Sequence, residues 1–151
     1  MERDNYVPML LNEFQAWYER KHGRNEDSYK NLIVKTRLSA LSKVDFIDFF
    51  YKFIEDGGKV QSCGNRTKNL FRKETLENNY NAFRAYVFEP FSDNFNIKNW
   101  LFDKNSQIRY FGIGISTIYL NRIDKNRYPI LNNKTLDGLQ QLGFDIPSTK
   151  T

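Results

Sequence analysis

Phe46, Phe49, Phe50, Phe53 and Ile54 recur at intervals of three and four residues. Only an α-helix brings such positions onto one face, so this run predicts a helix with an aromatic inner stripe. Asp45 is its expected N-cap and Gly57-Gly58 its expected stop. The same period appears elsewhere. After Pro8, the residues Leu10, Leu11, Phe14, Trp17 and Tyr18 form a stripe that Gly23 should end, with Lys21 and His22 in the last turn. Residues 25–28 can cap a second helix, with Tyr29, Leu32, Ile33 and Leu41 facing inward. A long helix is expected from Thr67 to Val87, with Leu70, Phe71, Leu76, Tyr80, Phe83 and Val87 inside, and Glu89-Pro90 breaks it. Phe95 to Phe102 reads as a short helix or turn around Trp100. Strict alternation is never sustained for more than a few residues, so the predicted fold class is all-α.

The chain has 151 residues, 40% hydrophobic and 16% aromatic. A chain of that length buries about two thirds of its unfolded surface, and this aromatic content excludes disorder as the main state. One helical domain over residues 1–146 is expected, with 147–151 a polar tail or truncation point. A single cysteine, Cys63, excludes an internal disulfide framework and a cysteine-rich zinc site. A single histidine, His22, leaves little for imidazole metal or relay chemistry. No cofactor and no metal are expected. No apolar run approaches the roughly 18 residues of a membrane span, and the start Met1-Glu2-Arg3-Asp4 has no signal core. A soluble, cytoplasmic protein is the expectation.

Charge is unevenly spread around a net +5. From Gly57 to Lys73 there are five cations and no acid, and this polar stretch, with three glycines, reads as a loop. From Asn96 onward eight basic side chains face four acidic ones, whereas Asp45 to Asp56 holds four acids and one lysine. A basic region beside an acidic one points to one face for a polyanion.

The most informative stretch is Ser106 to Phe144. Ile108, Tyr110 and Phe111 should end a short helix, Gly112-Ile113-Gly114 should form a tight turn with positive φ, and Ser116, Thr117, Ile118, Leu120 and Ile123 should begin the next helix. Free N–H groups over Gly114 to Thr117, with the helix dipole behind them, would bind an anion such as phosphate. The stretch is no dinucleotide fingerprint, because no strand precedes it and no third glycine follows, and it lacks the Gly-Lys-Ser/Thr of a P-loop.

Phe111-Gly112-Ile113-Gly114-Ile115-Ser116-Thr117-Ile118 resembles the helix-hairpin-helix motif. Tyr128-Pro129-Ile130-Leu131-Asn132-Asn133-Lys134, followed by Leu136, Leu139 and Leu142-Gly143, resembles the next element of the helix-hairpin-helix DNA glycosylase superfamily. The resemblance spans about 40 residues. It implies a Pro-containing turn leading to a catalytic Asp, and a Lys two residues after the second glycine. Here those positions hold Asn132 or Asn133, and Ser116. An amide cannot activate water, so the scaffold is expected without its chemistry. Asp124 and Asp137 lie at non-matching positions and read as exposed helical acids.

Phe111 to Thr117, Asp124 to Ile130 and Asn132 to Lys134 also resemble N-terminal or accessory domains of McrBC-type modification-dependent restriction proteins and related AAA+ defence GTPases. That resemblance implies a DNA-reading domain working with a motor or nuclease carried elsewhere. No Walker A lysine and no nuclease carboxylate–lysine cluster occur in this chain.

The expected function is a non-catalytic module for duplex DNA, modified or unmodified. Backbone amides at Gly112 and Gly114, with Ser116 and Thr117, would hold one phosphate. Arg109, Arg122, Lys125, Arg127 and Lys134 would hold its neighbours, fixing register without reading sequence. Tyr119 and Tyr128 read as buried rather than base-stacking. The alternatives are a protein–protein interaction module and a divergent glycosylase or lyase acting on a flipped base.

Overall fold

A computed structural model describes residues 8–17, 19–20, 32–56, 69–74, 78–109 and 111–145. They are mostly helical and contain no strand. Five helices carry the architecture: α1 (Lys35–Ala40), α2 (Lys43–Asp56), α3 (Tyr80–Phe88), α4 (Ile113–Ile123) and α5 (Asn133–Gln141). Residues 8–17 and 69–74 are also helical. Between α3 and α4 run a 3-10 turn at Glu89–Phe91, a π-helical turn at Asn99–Lys104 and a second 3-10 turn at Asn105–Gln107. Residues 57–67, residues 25–28 and the tail 147–151 lie outside the described residues, as do Cys63, His22, Tyr29 and Leu76.

The aromatic stripe of α2 is the centre of the core. Phe46, Phe50, Phe53 and Ile54 are buried, and Phe49 is half-buried. Phe50 meets Phe46, Phe49, Phe83 and Tyr119 at 5.0–5.6 Å between ring centroids. Edge-to-face arrangements dominate, as the ring quadrupole favours. Arg84 of α3 lies over the rings of Phe46 and Phe88 at 5.1 and 4.9 Å and donates to the Ser39 carbonyl, tying α1 to α3. The C-terminal carbonyls of α3 would lack helical partners. The Trp100 indole N–H supplies one at Tyr86 (2.8 Å), and the Tyr119 hydroxyl another at Val87 (2.9 Å).

Two expectations need correction. The N-cap of α2 is Ser42, not Asp45: the Ser42 Oγ accepts from the Asp45 N–H (3.2 Å) and donates to the Asp45 carboxylate (2.6 Å). This is a reciprocal cap with Asp45 at the third helical position. The continuous helix from Thr67 to Val87 is interrupted. Asn79 has φ −128 and ψ 20, and the Glu74 carbonyl accepts from both Asn78 and Asn79 N–H groups. The Glu74 carboxylate also takes both Asn side chains, at 3.3 and 3.0 Å. The helix of residues 8–17 forms as its apolar period predicts, with Leu11 59% and Phe14 58% exposed. Periodicity says which residues share a face, not whether that face is covered. Arg72, from the basic stretch, pairs with Asp48, from the acidic one, at 3.1 Å.

Candidate nucleic-acid interface

Phe111 is fully buried and anchors the approach to α4, its ring lying against Phe50, Phe71, Phe83 and Tyr86. The chain then turns outward at Gly112, which is exposed. Here the expected positive-φ turn is overturned. Gly112 is the N-cap of α4 with φ −71 and ψ 176, an extended conformation open to any residue, and α4 starts at Ile113, three residues before Ser116. Gly143 is the positive-φ glycine of the described residues, at φ 80. The 3-10 turn preceding the glycines ends at Gln107, ahead of Ile108, and Tyr110 lies outside the described residues. The first helical bond runs from the Ser116 N–H to the Gly112 carbonyl (2.9 Å). The N–H groups of Ile113, Gly114 and Ile115 therefore precede the ladder, and those of Ser116 and Thr117 do not.

The start of α5 lies beside the start of α4. The Leu131 N–H donates to Thr117 Oγ1 at 3.0 Å, and a Cβ placed on Gly114 would sit 3.8 Å from the Leu131 carbonyl oxygen. Asn132 follows as the N-cap of α5, its Oδ1 accepting from the Thr135 N–H (2.9 Å) and hydroxyl (3.2 Å). The α4–α5 connection is held by the Asn121 amide on the Tyr128 carbonyl (2.7 Å) and by the Asp124 carbonyl, which accepts from Arg127 and Tyr128. Asp124 is exposed at the C-cap of α4, not within a helix, and Asp137 is an exposed helical acid. Neither α4 nor α5 has an acid in its first turn.

The candidate residues divide into two groups. Arg109, Lys125, Arg127 and Lys134 are exposed, with Lys134 in the first turn of α5 and Arg127 lying over the Tyr128 ring at 5.2 Å. Ser116 (0% exposed), Thr117 (2%) and Arg122 (7%) are buried, so these three are not on the exposed face. Ser116 accepts from the Tyr86 hydroxyl at 3.0 Å and from the Asn105 amide at 2.8 Å. Tyr119 and Tyr128 are buried. Burial pushes the Tyr86 phenol up to about 12, its hydrogen bonds with Ser116 and Asn105 opposing that shift, and burial also raises Tyr119 well above its ordinary value.

Two residues that matter locally, Asn105 and Tyr86, had no signal in the sequence pattern, since neither belongs to a motif. Among the described residues no group of three His, Cys, Asp or Glu side chains is placed to hold a metal ion, and no helix is long and apolar enough to cross a membrane. No protein-family model matches the chain, and no curated protein or solved structure does either.

Proposed function

We propose that this chain is a non-catalytic module that binds duplex DNA by its backbone, on a helix-hairpin-helix scaffold centred on Gly112 to Thr117. One observation carries the reading: the N-termini of α4 and α5 lie side by side, joined through Thr117 and Leu131, without an acid in either first turn. Two adjacent positive dipole ends favour a pair of phosphates. Arg109, Lys125, Arg127 and Lys134 add charge that neutralises neighbouring phosphates without reading bases. Chemistry on the DNA then belongs to a motor or nuclease on another domain or chain, as in a restriction or defence system. Asn132 caps a helix where the glycosylase resemblance calls for an Asp, and the buried Ser116 stands where it calls for a Lys.

A titration with duplex DNA at low and moderate salt tests this. Binding whose log K falls steeply with log salt supports it. A second reading, a protein-interaction module, is favoured by one feature: residues 8–17 expose Met9, Leu11, Phe14 and Trp17 on one helix. Absence of DNA binding at low salt would give that reading the lead.

A further inference from the structure

We infer that Asn105 is the positioning residue of the phosphate-holding turn: its side-chain amide fixes the Phe111–Gly112 segment from behind and so aims the first N–H groups of α4. This rests on the DNA-backbone reading of that helix start. The Asn105 Nδ2 lies 2.7 Å from the Phe111 carbonyl, 2.8 Å from the Ser116 Oγ and 3.0 Å from the Tyr86 hydroxyl. The Tyr86 hydroxyl donates onward to Ser116 Oγ (3.0 Å), which in turn reaches the Phe111 carbonyl (3.4 Å). The ring of bonds thus closes on the one carbonyl that precedes the Gly112 cap. Four separate places on the chain meet there: α3, the 3-10 turn, the turn into α4, and α4 itself.

Geometry explains why the amide matters. The amide has two protons for three acceptors, so it serves the Phe111 carbonyl and shares the second proton between two hydroxyls. Without it, the buried Phe111 carbonyl keeps only the 3.4 Å contact to Ser116, too long to hold a peptide plane firmly. The plane between Phe111 and Gly112 is then free to rotate, and the N-cap geometry of Gly112 loosens with it. Asn105 itself is half-buried.

The test compares Asn105→Ala with Ile47→Val, a core change in α2 away from the turn. Duplex-DNA affinity is measured at two salt concentrations, together with thermal unfolding and the amide resonances of Gly112 and Gly114. Asn105→Ala should bind roughly tenfold more weakly with an unchanged salt slope, because no cation is lost, and should move both glycine resonances. Ile47→Val should keep its affinity whatever stability it loses. If Asn105→Ala does not fold, Ser116→Ala removes one anchor of the amide and should show the same signature at a smaller size. Wild-type affinity with unmoved glycine resonances in these variants overturns the positioning role alone. A wild-type protein that fails to bind duplex at low salt overturns the site reading, and this inference with it.

Discussion

Leu131 donates its N–H to the Thr117 hydroxyl at 3.0 Å, and that hydroxyl reaches the Gly114 carbonyl at 3.1 Å. A single side chain on α4 therefore joins the first turn of its own helix to the residue that leads into α5. Thr117→Val keeps the shape and removes the acceptor, leaving a partly buried N–H without its partner. The expected loss is about 1–3 kcal/mol of unfolding free energy, read by denaturant titration. Thr117→Ser should return most of it.

Gly138 within α5 and Gly143 just past its end should respond in opposite directions. Gly143 ends the helix in the left-handed region, with Gly143 N–H on the Gln140 carbonyl (2.8 Å) and Phe144 N–H on the Leu139 carbonyl (3.0 Å). That is a Schellman ending, and Gly143→Ala should cost about 1–2 kcal/mol. Gly138 lies inside the helix and a Cβ there meets nothing within 4 Å. Gly138→Ala should therefore gain about 0.5–1 kcal/mol. Thermal unfolding of the two variants checks both signs.

What was legible in the sequence follows from what leaves a local trace. The three-and-four spacing of Phe46 to Ile54 is one, and those residues are core. The Thr67–Val87 misreading has the opposite cause: the apolar period continues across Asn78-Asn79, which masks the break at Asn79. At Gly112 the glycine pair suggests positive φ, yet the residue is an N-cap in extended geometry that any residue can adopt, and a Cβ there meets nothing within 4 Å. Contacts such as Tyr86 to Ser116, thirty residues apart, have no period at all and become visible only when the core has brought α3 and α4 together.

Alkaline pH should expose the buried phenols. Burial holds the folded Tyr86 at about 12, above its ordinary value of 10.0. Between those values the folded state keeps a proton that the unfolded chain releases, so stability falls as pH rises through the window. Below pH 10 the contribution is fully present. Tyr119, raised in the same direction, steepens the fall. Denaturant titrations from neutral pH upward should show this decline, and Tyr86→Phe should make it shallower.

The last prediction separates the start of α4 as a helix end from the start of α4 as a phosphate site. Gly112 is exposed, extended and free of neighbours within 4 Å of a Cβ, so a larger residue fits there. Aspartate is among the preferred N-caps and complements the helix dipole, so Gly112→Asp should stabilise the protein by about 0.3–1 kcal/mol. The same carboxylate occupies the N–H groups of the first turn and repels a phosphate. The variant should therefore unfold at a higher temperature than the wild type and bind duplex DNA far more weakly. Lys134→Ala offers the contrast: it should leave unfolding nearly unchanged and flatten log K against log salt by about one unit. Arg122→Ala should act the other way round, through stability, because Arg122 is buried. A Gly112→Asp protein that is more stable and still binds DNA like the wild type would exclude the helix start from the interface and leave the exposed cations to account for binding.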